Sequence, residues 1–217
     1  MTLAGFGTMI RHEFLLEFRH RFASAALLVY VIAVAFIIYL SFASPEPAVW
    51  NALFWMVILF SGLQSGTMAF LREFGDAHLF YYQYVHPLAL FLAKILSVWL
   101  KLFMLALLAW FVMGVVLGNP IVDGVMFFLA ILLGSLGFAV VFTFLSAVAL
   151  NANNSGLLLA VLGFPVLLPV LLSVMRLSLV SMAVRDVDAT ESFLMLVAVV
   201  MLLIGLGLIL FPYLWKN

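Results

Sequence analysis

The sequence predicts an all-α integral membrane protein with six transmembrane helices, and three observations carry that prediction. Of 217 residues, 68% are hydrophobic and 8% charged, whereas soluble chains are about one-quarter charged. Mean hydropathy is +1.35. Unbroken apolar runs recur along the chain, each near or above the roughly 20 residues that one helical crossing of hydrocarbon requires. A transmembrane barrel would instead alternate over segments of about ten residues. Net charge is zero, which argues against nucleic acid as a partner. Cysteine is absent, so disulfides and cysteine–metal sites are excluded.

An interfacial helix is expected first, over residues 3–21. Phe6, Ile10, Phe14, Phe18 and Phe22 recur every fourth residue, giving an apolar row that drifts slowly round the helix. Glu13, Glu17 and Arg21 form a neighbouring row able to pair at i, i+4 spacing, although Arg11 falls near the apolar side. With Arg11, Glu13, Glu17 and Arg19 among the headgroups, the phenylalanines would sit in the acyl region. A cytosolic extension of the first span is the other reading of this segment. No cleavable signal is expected, because the charged stretch Arg11 to Arg21 lacks a short apolar core followed by small residues.

Span one is expected over about 22–42 and closes at Ser44-Pro45-Glu46-Pro47. Span two covers about 50–71, with Trp50 and Trp55 suited to a membrane–water interface. Span three opens after Pro87, whose missing N–H suits a first helical turn, and runs over about 88–117. At 1.5 Å per residue it is roughly 45 Å long, so its first turns should project beyond the ~30 Å hydrocarbon core. Lys94 and Lys101, seven apart, share a face and can snorkel to phosphates. Gly118-Asn119-Pro120 is a turn.

Span four covers about 122–150. Ala130 and Gly134 form a small-xxx-small pair extended by Ser135 and Gly137, so another helix can approach closely. Span five, about 156–174, contains Pro165 and Pro169. Each proline deletes a backbone bond to the preceding turn, so a kink or a break into half-helices is expected near mid-membrane. Residues 175–192 hold Arg176, Arg185, Asp186, Asp188 and Glu191 and are expected to leave the lipid. Leu177, Val180, Val184 and Val187 recur there at helical spacing, suggesting a periplasmic amphipathic helix. Span six covers about 193–215 and passes Gly205 and Gly207.

Six spans with both termini on one side place Arg11, Arg19, Arg21, Arg72, Lys94, Lys101 and Lys216 together. The opposite side receives only Arg176 and Arg185. Basic residues favour the cytoplasm, so both termini and the Arg72–His86 connection are expected there.

Intramembrane chemistry requires ionisable groups within the bilayer. Here every Asp, Glu and His falls at or near the end of an expected span, so no catalytic residue is assigned. No His-Glu-x-x-His, Gly-x-Ser-x-Gly or phosphate-cradling Gly-x-x-x-x-Gly-Lys-Ser/Thr motif occurs. Glu73, Asp76 and His78 do not make a metal site: the two carboxylates would share a helical face, but the imidazole would point elsewhere. Proton- and sodium-coupled carriers generally display intramembrane carboxylates or broken helices in repeated halves, and this chain shows no convincing repeat. A membrane domain driven by another polypeptide remains. The connection from Arg72 to His86 suits that role: it has about fifteen residues where a few would join two helices. Arg72, Glu73, Asp76 and His78 offer polar contacts, and Phe80, Tyr81, Tyr82 and Tyr84 offer the rigid area enriched at interface hot spots. A headgroup-level aromatic belt is the other role open to these tyrosines.

The residues also carry a family resemblance. They include Arg11-x-Glu13…Phe18-Arg19 before the first span, Arg72 after the second, and Pro87…Lys94…Trp99 opening the third. Leu132-Leu133-Gly134 lies in the fourth and Pro165-x-x-x-Pro169-x-Leu171-Leu172 in the fifth; the double proline is the most distinctive. On these the chain resembles the CcmB family, the heme exporter protein B permeases of cytochrome c maturation, themselves relatives of ABC-2-type permeases. Where that family usually shows a Gly-x-Leu-Glu-x-Leu-like stretch, this chain has Gly75-Asp76-Ala77-His78-Leu79-Phe80-Tyr81-Tyr82.

The resemblance implies a single ABC-type permease domain in the bacterial inner membrane, docked to a separate ABC ATPase that binds ATP and Mg. It also implies work beside a heme-handling membrane protein and a periplasmic heme chaperone. Heme would be cargo of the complex, with no cofactor bound directly, since His12, His20, His78 and His86 all fall at the cytoplasmic side or its boundary. An ABC-2-type exporter of lipid, drug or polysaccharide would share this architecture. A membrane assembly scaffold without transport would need no ATPase, and a self-contained intramembrane enzyme ranks last.

Overall fold

The computed structural model describes residues 21–42, 44–66, 87–149, 155–184 and 188–216. These form six α-helices and no strand: α1 Arg21–Ser41, α2 Pro47–Gly66, α3 Pro87–Leu117, α4 Gly124–Ala149, α5 Ser155–Ser181 and α6 Ala189–Lys216. Five of them, α2 to α6, are long and apolar enough to cross a membrane, while the apolar stretch of α1 is the shorter Ala26–Ser41. The protein is therefore a multi-pass, all-α membrane protein, as its composition predicts.

Turn chemistry sets the boundaries. Gly118 follows α3 at φ 86°, the left-handed conformation that suits glycine after a helix. Asn119 then accepts from the Ile121 amide at 3.3 Å. Asp123 caps α4, its Oδ1 accepting from the amides of Val125 at 3.0 Å and Met126 at 3.1 Å. Asp188 caps α6 by accepting from Thr190 N at 3.0 Å, and Glu191 lies in the first turn, where the helix dipole favours an acid.

At the end of α5, Val184 N donates to Leu179 O at 3.2 Å and Ala183 N to Val180 O at 3.0 Å. This closes a Schellman-type cap with Ala183 at φ 54°, where glycine is the usual occupant.

The described residues of three connections, 42 and 44–46, 118–123, and 182–184 with 188, lie at one end of the bundle, called here the short-loop end. Val122 N and Asp123 N both donate to the carbonyl of Ser181, at 3.0 and 2.9 Å, tying the α3–α4 connection to the last residue of α5. Trp50 near the start of α2, Phe127 near the start of α4 and Trp110 of α3 meet at the same end. Trp50 and Trp110 lie 5.9 and 5.3 Å from Phe127, centroid to centroid.

Helix α4 is central. It packs against α2, α3, α5 and α6, and 61% of its span is buried in the protein, against 17% for α6. The small-residue face read from the sequence is what permits this. A Cβ at Gly134 would meet Val174 Cγ2 of α5 at 2.5 Å and Trp55 Cη2 of α2 at 2.8 Å; one at Gly137 would meet Val170 Cγ1 at 2.8 Å. Helix α1 is peripheral. Leu27, Val31, Ala35 and Ile38 form its buried row, while Val29, Ile32, Phe36, Ile37 and Leu40 face outward. Both faces are apolar because the outer one meets lipid.

Four expectations change. Helix α5 runs to Ser181, so residues 175–181 continue span five and do not begin a separate amphipathic helix. Their apolar positions bury against the bundle: Leu177 is 0% exposed. No break interrupts α5 at Pro165 or Pro169, both of which lie inside the continuous helix. Trp50 and Trp55 are 1% and 0% exposed, so their rings pack among aromatic rings of the core and do not face lipid headgroups. Lys94 is 3% exposed, not on an open snorkelling face. Its turn packs with Val140, Ala147 and Phe211, and Phe91 stacks on Phe211 at 4.7 Å.

Gly134→Ala and Gly205→Ala should act with opposite signs on thermal unfolding in detergent. The first overpacks a closed contact and should cost about 1–3 kcal/mol. No atom lies within 4 Å of a Cβ added at Gly205, so there the better helix former should gain up to about 1 kcal/mol.

Candidate functional site

Two groups of sequence-predicted site residues fall outside the described residues: Arg11, Glu13, Glu17 and Arg19 of the N-terminal segment, and Arg72, Glu73, Asp76, His78, Tyr81, Tyr82 and Tyr84 of the long connection. All four histidines fall outside as well. Among the described residues no group of three or more His, Asp or Glu side chains is placed to hold a metal ion. Lys101, half-buried, lies two turns beyond Lys94 on α3.

Pro165 and Pro169 are described, and both sit on the outward face of α5 beside exposed Phe164 and Leu172. The opposite face buries Leu167, Val170, Val174 and Leu177 at helical spacing. Neither proline can donate to the preceding turn. One turn further, the Ser173 hydroxyl donates to Pro169 O at 2.7 Å, a back-bond that tends to bend helices. The weakened stretch of backbone therefore lies near the middle of α5. Beyond Pro169 the helix continues for about 18 Å to Ser181.

That distal segment is held to α2 by polar contacts that the spacing of residues did not reveal. Asn51 Nδ2 donates to the carbonyl of Met175 at 3.1 Å, and Trp55 Nε1 donates to Ser178 Oγ at 2.8 Å. Asn51, Trp55 and Ser178 are each 0% exposed. Residues 51 and 55 are one helical turn apart on α2, so they present a single row to α5. The Ser178 hydroxyl in turn donates to Val174 O at 2.7 Å, and the Ser181 hydroxyl donates to Ser178 O at 2.6 Å. The Trp55 ring also lies edge-on to Phe54 at 5.1 Å and tilted against Phe138 at 6.1 Å. One residue of α2 thus joins α2, α4 and α5. The signal available in the sequence was an asparagine beside two tryptophans at a span start, a pattern equally compatible with headgroup contact.

Asn51 Oδ1 and, beside it, Trp50 Nε1 are buried and have no hydrogen-bond partner among the described residues. Elsewhere Trp99 Nε1 of α3 donates to Leu132 O of α4 at 3.2 Å. Arg176 lies on the outward side of α5 with Nη1 3.9 Å from Met195 Sδ of α6. A shallow groove of about 380 Å³ runs along α3, lined by Leu107, Trp110, Phe111, Gly114, Val115 and Asn119. Its largely apolar wall is of the kind lipid covers. These features can hold helices in register and let them shift; they supply no acid, base or nucleophile.

Asn51→Leu should change stability by no more than about 1 kcal/mol. It loses one net hydrogen bond but also removes an unpaired oxygen. Trp55→Ala deletes a large buried ring and should cost about 3–5 kcal/mol. Denaturant titration in detergent micelles, followed by retained helicity, separates the two.

No curated protein matches the chain. A protein-family model described as CcmB protein matches residues 4–211, nearly the whole chain and all six helices but the end of α6. The chain belongs to the CcmB family, whose members are permease subunits, not themselves enzymes, in the membrane part of an ABC heme exporter complex for cytochrome c maturation.

Proposed function

We propose that this chain couples ATP hydrolysis by a separate nucleotide-binding subunit to a conformational change that serves heme handling in c-type cytochrome maturation. The observation that carries the reading is family membership over residues 4–211, beside a bundle of long apolar helices in which the described residues hold no metal-ligating cluster. Both support a reading in which energy enters from a partner. In this reading the chain lies in the bacterial inner membrane with both termini cytoplasmic and the short-loop end periplasmic. The count of basic residues supports that orientation.

The cytoplasmic connection receives the partner's motion. Arg72, Glu73, Asp76 and His78 supply its polar contacts, and Tyr81, Tyr82 and Tyr84 its contact area. Arg11, Glu13, Glu17 and Arg19 hold the N-terminal segment at the lipid surface. Pro165 and Pro169 form the hinge, since their missing amides lower the cost of bending α5 at its middle. A heme-handling membrane protein and a periplasmic heme chaperone are the further partners, with heme as cargo and ATP-Mg bound on the ATPase.

Affinity isolation in mild detergent tests the docking step. The native chain should bring an ATPase subunit with it, and Tyr81→Ala combined with Tyr82→Ala should reduce its recovery about tenfold or more, the loss of one strong hot spot. Equal recovery would sink that assignment. Pro165→Ala with Pro169→Ala should leave membrane insertion and ATPase recovery intact but lower the yield of mature c-type cytochrome. A normal yield would remove the hinge.

A further inference from the structure

We infer that the seam between α2 and α5 is a latch: Asn51 and Trp55 hold the segment of α5 beyond Pro169 closed, and this seam parts at the short-loop end when the permease works. The inference rests on the coupling reading above and adds the element that motion must release.

Four features of the seam support it. Two hydrogen bonds run from α2 to Met175 and Ser178 of α5, within one turn near the helix end. Closer to the prolines, α5 meets α4 through Val170 and Val174 against Gly137 and Gly134. Those contacts are apolar and small, and such a surface offers no directional bond to resist a pivot. The backbone is weakened at the base of the segment, where Pro169 lacks its amide and Ser173 back-bonds to Pro169 O. A lever, a weakened base and a two-bond catch thus lie in sequence along one helix.

The catch is also incompletely satisfied. Asn51 Oδ1 and Trp50 Nε1 are buried without a partner among the described residues while the seam is shut. Opening at the water-facing end would hydrate both, which offsets part of the loss of the two hydrogen bonds. The closed and open arrangements are thereby brought nearer in free energy, as a two-state element requires. The Ser181 carbonyl binds the amides of Val122 and Asp123, so the α3–α4 connection must either travel with α5 or release it.

The chain contains no cysteine, so a single introduced thiol reports its own exposure. Val174 is 0% exposed and closes on Gly134 beside the Trp55 ring, so Val174→Cys places that thiol in the seam and leaves both hydrogen bonds in place. Ser135, equally buried on α4, gives the control Ser135→Cys. The purified complex with its ATPase would be reacted with N-ethylmaleimide with and without ATP-Mg. Labelling of Val174→Cys should rise about fivefold or more during turnover while Ser135→Cys stays unreactive. Adding Trp55→Phe, which keeps a ring but removes the N–H, should raise resting labelling about fivefold, the factor expected from one net hydrogen bond.

Equal labelling with and without ATP, in a complex shown to hydrolyse it, would overturn the latch. If no ATPase accompanies the chain, the coupling reading fails instead, and the Trp55→Phe arm alone decides: an unchanged resting rate overturns the latch there too.

Discussion

The arrangement of the bundle depends on the close approach of three helices at Gly134. In lipid no hydrophobic drive pulls one apolar helix towards another, so association rests on dispersion contacts and the occasional interhelical hydrogen bond. At Gly134 the missing side chain admits the Trp55 ring from one side and Val174 from the other. The indole N–H, delivered to that depth, reaches Ser178 on the third helix. Gly137 repeats the arrangement one turn on for Val170 and Val200, bringing in α6. The central place of α4 follows from those two glycines.

Polar groups inside the bundle are handled sparingly. Ser61, Ser135, Ser173, Ser178 and Ser181 each donate to a carbonyl three or four residues earlier on their own helix. That satisfies the hydroxyl without linking helices. Three tethers between helices stand out: Asn51 to Met175, Trp55 to Ser178, and Trp99 to Leu132. Two of them join α2 to the far half of α5. A seam held by two tethers beside a glycine face is stable in register yet offers low resistance where a tether is released. That physical character suits a permease subunit powered from outside itself, as membership of the CcmB family implies.

Buried Lys94 modifies this picture at the opposite end. A lysine at 3% exposure among Leu90, Phe91, Ile95 and Phe211 is costly unless engaged, and it marks the first turns of α3 as part of the packed bundle. The proline pair sits between the two ends. Its outward placement leaves the inward face of α5 free to keep Leu167, Val170, Val174 and Leu177 in the core.

The sequence by itself determined the all-α membrane class and the succession of long apolar helices. Apolar run length is a one-dimensional property, and residues such as Pro47, Pro87, Gly118 and Asp123 act locally on the backbone. The narrow face at Gly134 was legible for the same reason, and the family was legible from motifs spread along the chain. Only the tertiary structure decided which faces meet protein and which meet lipid. When a helix is apolar all round, its periodicity does not distinguish the two. Trp50 and Trp55 could equally have sat at the headgroups, Lys94 could have snorkelled, and residues 175–181 could have lain on the surface. Each was settled by which neighbour covered it, and that depends on contacts between residues more than a hundred positions apart, such as Asn51 with Met175.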